Sequence, residues 1–186
     1  MTDWLTSGTW DLGIPEKHRL QAALEAVQGK EILDVGCRDG TFILTLAREH
    51  PEINVTGFDT DASAIQWAND TAVKLGLDNA TFFVDDVTDP KLPWAGRFDS
   101  VYCMETLEHV PVPLFQRAHQ NVRSFVRPGG RLIVTVPANS HISDPDHKSI
   151  FYREIIFSNE PDLIWLKDCP HLWIGFILEF QDKEQK

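Results

Sequence analysis

The chain has 186 residues, of which 42% are hydrophobic and 24% charged, and its formal net charge is −11. This length suits one globular domain, and the charge disfavours binding to nucleic acid or to an anionic membrane. Three cysteines without a CxxC spacing argue against a disulfide framework and against a structural zinc site. There is no basic segment followed by an apolar run near the start, and no apolar run of membrane-spanning length. We therefore expect a cytoplasmic protein.

The first two thirds of the chain alternate between predicted helices and strands. Pro15 and Pro113 mark helix starts, while Pro51 and Gly76 mark helix ends. In chain order we predict a helix at 16–27, a strand at 31–35, a helix at 41–50, a strand at 54–58, a helix at 61–75, strands at 80–84 and 98–104, a helix at 113–126, a turn at 128–130 and a strand at 131–136.

The last third has a different character. A short helix is expected at 150–157, followed by two strands at 162–167 and 173–180. Strands joined by so short a loop must pair antiparallel, because a parallel pair needs a crossover of about a dozen residues or more. The predicted fold is therefore α/β: a doubly wound, mostly parallel, seven-stranded, Rossmann-like sheet with an antiparallel hairpin at its C-terminal end.

The segment with the most functional information is Glu31-Ile-Leu-Asp-Val-Gly-Cys-Arg-Asp-Gly40, an apolar strand followed by a glycine-containing turn. Glycine lets the backbone approach a ligand closely, and the helix that follows offers free N–H groups. A second strand ends in Asp59, whose carboxylate is placed to accept two hydrogen bonds from a ribose diol. Together these features predict one half of a nucleotide-binding sheet.

Over residues 16–180 the chain resembles the class I S-adenosylmethionine-dependent methyltransferases, in particular the small-molecule branch that includes ubiquinone biosynthesis. The family's first motif is matched by residues 32–40 and its ribose-binding acid by Asp59. Further matches are Asp85-Asp86-Val87 with Leu92-Pro93-Trp94, residues 98–110 around strand four, and Arg127-Pro-Gly-Gly-Arg-Leu-Ile133. The ordered set is more specific than any one motif. The cofactor implied is S-adenosyl-L-methionine.

The resemblance implies a set of cofactor-binding residues. It comprises Asp34, Gly36, Cys37, Arg38, Gly40, Asp59, Thr60, Asp85, Asp86, Val87, Met104 and Glu105. Two of these residues have an alternative assignment. In one, Asp34 caps the following helix instead of contacting the cofactor. In the other, Asp85 rather than Asp86 accepts the hydrogen bond from the adenine amine. Asp61, in contrast, is expected to be the N-cap of the helix at 61–75.

Arg38 departs from the family pattern, which most often has a glycine at this position. We expect Arg38 to adopt a negative φ. Its side chain then points away from the cofactor or towards the methionyl carboxylate.

Catalytic candidates follow strand four in Glu105-x-x-Glu108-His109. His109 has a suitable pKa to accept the proton of a substrate hydroxyl, and His147 is a second candidate base in the loop after strand five. The alternative is that Glu108 and His109 only orient this loop. A metal-dependent alternative also exists, since Glu105, Glu108, His109 and His147 (or His141) resemble the ligands of RNA 2′-O-methyltransferases. We expect no metal, because Val110 replaces the second histidine of that pattern.

We expect one methyltransferase domain over 1–186, with a lid at 1–15 and a substrate-loop region at 138–162. The function predicted is methyl transfer to a small molecule at a hydroxyl oxygen, in an acceptor site that is open or completed by the second subunit of a homodimer. A protein that binds the cofactor without turnover is a further alternative. A nicotinamide-dependent oxidoreductase is disfavoured because the chain has no Gly-x-Gly-x-x-Gly.

Overall fold

A computed structural model describes residues 14–137, 163–169 and 173–180 of the chain. The elements come in the predicted order. The helices are α1 (Ile14–Glu25), α2 (Thr41–Glu49), α3 (Ala62–Leu75) and α4 (Val112–Phe125), with a short 3-10 helix at Leu107–His109. The strands are β1 (Glu31–Val35), β2 (Asn54–Asp59), β3 (Ala80–Val84), β4 (Phe98–Met104), β5 (Val126–Pro137), β6 (Leu163–Cys169) and β7 (Trp173–Glu179).

The strands form one sheet in the order β3-β2-β1-β4-β5-β7-β6. Strands β1 to β5 pair in parallel, whereas β7 pairs antiparallel with both β5 and β6. This confirms the predicted mostly parallel sheet with a C-terminal antiparallel hairpin. The strand order reverses between β1 and β4, and ligands of open α/β sheets bind at such a point, beside the carboxyl ends of the strands. None of the helices in the described part of the chain is long and apolar enough to cross a membrane.

Helices cover both faces of the sheet. Alternate residues of each central strand point to opposite faces, so each strand contributes side chains to two core layers. Leu33 and Val101 belong to the core layer that includes α4. Ile32 and Tyr102 belong to the layer that includes α1, α2 and α3. The central strands are therefore apolar on both faces, as a parallel sheet between two helix layers requires.

Local signals fix α3 at both ends, as the sequence predicts. The side chain of Asp61 accepts hydrogen bonds from the N–H groups of Ser63 and Ala64, and Gly76 ends the helix at a left-handed φ of 66°. The prediction for α1 was shifted, since the helix begins at Ile14 and ends at Glu25. The helix expected at 150–157 lies outside the described residues.

The turn predicted at 128–130 is instead an irregularity inside β5. Val126 pairs with Phe98 and Arg131 pairs with Ser100, so the residues between them leave the ladder with β4. They stay hydrogen-bonded on the side of β7. Phe180, which follows β7, accepts a hydrogen bond from the N–H of Gly129 and donates one to the carbonyl of Gly130. The prediction of a turn at 128–130 was therefore wrong, because these residues belong to β5.

Asp99, near the start of β4, links the starts of β1 and β5. These contacts lie at the edge of the sheet opposite the carboxyl ends of the strands. The Asp99 carboxylate is buried, accepts the N–H groups of Lys30 (2.8 Å) and Glu31 (2.9 Å), and pairs with Arg127. We expect Asp99→Ala to lower the free energy of unfolding by about 2–4 kcal/mol, because two part-buried N–H groups and the Arg127 guanidinium lose their acceptor. Urea unfolding checks this value. A loss below about 0.5 kcal/mol would contradict it.

Candidate active site

A cavity of about 440 Å³ opens at the carboxyl ends of β1, β2, β3 and β4. This volume is within the usual range for small-molecule sites, about 300–1,000 Å³. The residues that line it come from the loops after these strands and from the start of α4. They are Gly36, Arg38, Phe58, Asp59, Thr60, Asp85, Asp86, Val87, Thr88, Glu105, Thr106, His109, Val110, Pro111 and Leu114.

Asp59 is held at the tip of β2 by two backbone donors. Its Oδ2 accepts the N–H of Arg38 (2.9 Å) and its Oδ1 accepts the N–H of Asp61 (2.9 Å). The carboxylate is thereby fixed in orientation, while each oxygen keeps a second lone pair for another donor. A rigid acid with two acceptor positions at the cavity wall suits a vicinal diol such as a ribose.

The turn after β1 has left-handed backbone at alternate residues: φ is 72° at Gly36, 51° at Arg38 and 71° at Gly40. The prediction that Arg38 has a negative φ was therefore wrong. The turn keeps its shape and the arginine adopts the strained conformation, at a cost on the order of 1 kcal/mol. One compensation is the hydrogen bond from its N–H to Asp59.

Four of the residues predicted to bind cofactor do not line the cavity: Asp34, Cys37, Gly40 and Met104. A Cβ on Gly40 would meet the ring of Phe82 at 2.5 Å, so this glycine serves the packing of α2 against β3. The Cys37 side chain is buried in the same core layer, where burial raises the pKa of its thiol. Spacing along the chain does not distinguish such packing residues from residues that face a ligand.

Asp34 is buried below the cavity. Burial, with the negative charge of Asp59, raises its pKa to about 8, and the positive charge of Arg19 partly opposes this shift. The alternative that Asp34 caps the next helix was wrong. No side chain caps α2 at Gly40, and the first N–H of the helix, from Thr41, is accepted by Asp39.

Arg19, on α1, places a guanidinium above the ends of β1 and β4. Its Nη1 lies 3.6 Å from Oε1 of Glu105, and its charge lowers the pKa values of Asp34 and Glu108 against the effect of burial. Glu105 itself has a left-handed φ of 51° and lines the cavity. The positive charge of Arg19 thus partly offsets the negative charge of several carboxylates. A motif search around the glycine turn does not detect this arginine.

The loop after β3 forms the opposite wall of the cavity. Asp86 accepts hydrogen bonds at Oδ1 from the N–H and hydroxyl of Thr88, both at 2.8 Å, and the side chain of Val87 is buried. Burial raises the pKa of Asp85, and the negative charge of Asp89 adds to the effect. Asp85 and Asp86 both line the cavity.

The wall after β4 contains His109, the predicted base, together with Thr106. The hydroxyl of Thr106 donates to the carbonyls of Val35 and Met104, each at 3.1 Å, and so joins the tips of β1 and β4. His109 is exposed and lines the cavity. His147, the second predicted base, lies outside the described residues.

Glu108 lies in the same 3-10 helix as His109 and is buried, and in the described part of the chain neither of its carboxyl oxygens has a hydrogen-bond partner. Burial, with the negative charge of Glu105, raises its pKa to about 8. The folded protein therefore holds a proton on Glu108 that the unfolded chain has released above a pH of about 4.5.

It follows that Glu108 lowers stability as the pH rises through this range. We expect the free energy of unfolding to fall between pH 5 and 8 by at most about 1.4 kcal/mol per pH unit from this group. In Glu108→Gln, whose amide does not titrate, the fall is smaller. Chemical denaturation at several pH values compares the two proteins. Equal slopes would show that the Glu108 carboxyl does not gain its proton on folding.

No group of three or more His, Cys, Asp or Glu side chains within the described ranges could hold a metal ion. Glu105, Glu108 and His109 therefore do not form such a group by themselves, and the metal-dependent alternative gains no support. His141 and His147 lie outside the described residues.

Six residues of the cavity wall were not among the predicted site residues: Phe58, Thr88, Thr106, Val110, Pro111 and Leu114. Five of them lie within two residues of a predicted site residue, and Leu114 follows His109 by five residues, at the start of α4. The detectable signal was therefore position after a strand end, rather than residue type.

The described site can be compared with known proteins. A methyltransferase domain family model matches residues 26–162. The ubiquinone biosynthesis O-methyltransferase of Erwinia tasmaniensis is 38% identical over 104 residues, which are 56% of this chain and 41% of that protein. The Coxiella burnetii enzyme of the same name is 41% identical over 106 residues, 57% of this chain and 43% of its own. The chain thus aligns with less than half the length of these curated relatives.

Solved structures share the fold. An O-methyltransferase family protein from Burkholderia thailandensis superposes with a TM-score of 0.73 at 14% identity, covering 91% of this chain and 57% of that one. A SAM-dependent methyltransferase from Aquifex aeolicus superposes with a TM-score of 0.65 at 17% identity, covering 88% of both chains. The family match and the curated relatives confirm the predicted resemblance to methyltransferases. The chain belongs to the methyltransferase domain family.

Proposed function

We propose that this chain transfers the methyl group of S-adenosylmethionine to a hydroxyl oxygen of a small molecule. The observation that supports this most directly is Asp59, a carboxylate fixed by two backbone donors in a cavity that continues to His109. The relatives named above are O-methyltransferases, which favours oxygen as the acceptor atom.

In this proposal each wall of the cavity has one task. Asp59 accepts two hydrogen bonds from the ribose diol, and Asp85 or Asp86 accepts one from the adenine amine beside Val87. Gly36 leaves the backbone open towards the methionyl end. Because the cavity has room for these groups and offers acceptors where a nucleoside has donors, the residues fit the cofactor.

The cofactor supplies an electrophilic methyl group on a sulfonium sulfur. His109 then accepts the proton of the acceptor hydroxyl, since a neutral hydroxyl is a weak nucleophile. Val110, Pro111 and Leu114 give this side of the cavity an apolar lining. We extend the proposal to His147 and residues 138–162 as acceptor contacts, with residues 1–15 as a lid, in one domain over 1–186. We assign the protein to the cytoplasm and allow for a homodimer.

Calorimetric titration of cofactor-stripped protein tests the cofactor step, with S-adenosylmethionine, S-adenosylhomocysteine and, as a control, NAD. We expect micromolar binding of the first two and none of NAD. Absence of S-adenosylhomocysteine binding would refute the proposal.

A His109→Gln variant tests the proton transfer in a screen of phenolic and hydroxylated acceptors. We expect methyl transfer to fall by about 100-fold or more, because a positioned base contributes 10²–10⁴-fold, with S-adenosylhomocysteine binding retained. Unchanged transfer would remove His109 from the mechanism. Parallel assays with a chelator and with added Mg²⁺ test the expectation that no metal is used.

A further inference from the structure

Asn121, on α4, makes an unusual pair of contacts with the loop after β3. Its side-chain Nδ2 donates to the carbonyl of Val87 and to the carbonyl of Asp89, both at 2.8 Å. A side-chain amide has two N–H donors, so both are used on this loop. The side chain is half-buried, and partial burial strengthens the bond to Val87, whereas the bond to Asp89 is exposed.

The loop has turns of its own, but these bonds connect neighbouring residues. Asp86 accepts from Thr88, its carbonyl accepts the N–H of Asp89 (2.9 Å), and the Asp89 side chain accepts the N–H of Lys91 (2.8 Å). Local turns give the loop a shape without fixing its distance from the sheet. The side chain of Val87 packs into the core, and Asn121 adds two polar links to a helix.

Asn121 also connects the two ends of the cavity. Leu114 lines the cavity near His109 and lies seven residues earlier on α4, about 10 Å along the helix axis. Helix α4 thus carries Leu114, which lines the cavity near His109. Through Asn121 the same helix holds the carbonyls of Val87 and Asp89 in the loop after β3, which forms the opposite wall. A shift of the loop towards or away from α4 would change the position of Asp85, Asp86 and Val87.

We propose that Asn121 is a positioning residue that fixes the adenine-facing loop and so determines selectivity for adenine over other purines. This inference rests on the proposed function, in which Asp85 or Asp86 accepts a hydrogen bond from the adenine amine. Hypoxanthine presents an oxygen at that place, which a carboxylate held in position rejects by repulsion. A loop that is free to move discriminates less between the two bases.

The test compares the affinities of S-adenosylhomocysteine and S-inosylhomocysteine for the full chain by calorimetry. We expect the wild type to prefer the adenosyl ligand strongly. Asn121→Ala should lower the ratio of the two affinities by about 10-fold, the effect of losing roughly one hydrogen bond of loop positioning. Asn121→Asp should lower it further, because its carboxylate faces two carbonyl oxygens.

Asn79 offers a matched control. Its side-chain amide also donates to backbone carbonyls, those of Ala47 (3.0 Å) and Ile53 (2.8 Å), but Asn79 precedes β3 on the edge away from the cavity. We expect Asn79→Ala to lower the melting temperature and leave the affinity ratio unchanged. Thermal melts of all variants establish that each is folded, and Asn121→Ser provides a smaller polar replacement if Asn121→Ala is not.

The outcomes separate this inference from the proposed function. If the folded Asn121 variants lose affinity for both ligands equally, or keep the wild-type ratio, Asn121 has only a structural role and the inference is overturned. If the wild type binds S-adenosylhomocysteine but Asn79→Ala reduces the ratio as much as Asn121→Ala, the inference also fails. If the wild type binds neither ligand, the proposed function itself fails.

Discussion

Replacing Asp59 with alanine is expected to weaken the binding of S-adenosylhomocysteine by about 100-fold or more. The carboxylate is the proposed acceptor for both ribose hydroxyls, and hydrogen bonds to a charged group contribute roughly 1.5–3 kcal/mol each. The variant also leaves the N–H groups of Arg38 and Asp61 without their acceptor, so the turn that forms the cavity wall loses its anchor. Calorimetric titration measures the dissociation constant.

The matched control is Asp61→Ala, two residues away. Asp61 caps α3 and does not line the cavity. Its loss should cost about 1 kcal/mol of stability through the missing cap, with little change in affinity. An Asp59→Ala protein that binds the ligand as tightly as Asp61→Ala does would refute the role assigned to Asp59.

Gly36→Ala is expected to abolish cofactor binding and to destabilise the fold. The residue has a φ of 72°, and an added Cβ would lie 2.4 Å from Oγ1 and 2.5 Å from Cγ2 of Thr106. Either the turn or Thr106 must move, and Thr106 holds the carbonyls at the ends of β1 and β4. We expect a stability loss of about 2–4 kcal/mol, the sum of backbone strain and steric overlap, measured by urea unfolding.

Two variants separate the clash from the backbone strain. Gly76 has a similar φ of 66°, but a Cβ there meets nothing within 4 Å, so Gly76→Ala shows the strain alone. We expect it to cost about 1–2 kcal/mol without affecting binding. Adding Thr106→Ala to Gly36→Ala removes two of the three contacts and should restore part of the stability. If Gly36→Ala costs no more than Gly76→Ala, the clash does not occur.

Most of the fold was predictable because its determinants are local. The apolar runs of β3 and β4 gave the correct bounds, and Asp61 and Gly76 define α3 by their own backbone chemistry. The order of elements then requires a doubly wound sheet. What the sequence did not reveal was the geometry of β5, because the pairing of Gly129 and Gly130 with Phe180 links residues distant along the chain.

The candidate site was predictable to the extent that it follows strand ends. Asp59, Asp85 and His109 were found by this rule, although their roles remain predictions. Arg19 was missed because it reaches Glu105 from a helix more than eighty residues earlier. Gly40 was assigned both to the cofactor and to helix packing, and the clash that a Cβ would make with Phe82 supports the packing role.

The left-handed backbone of Arg38 bears on how such sites are detected in other sequences. The turn keeps its handedness at residues 36, 38 and 40 although only two of them are glycines. At residue 38 glycine is thus favoured by the backbone geometry but not required, whereas residues 36 and 40 also need glycine because an added Cβ would clash there. A search pattern that demands glycine at each position would reject this chain. A structural search for left-handed backbone at alternate residues of this turn would retain it, together with any relatives that carry a side chain at the same place.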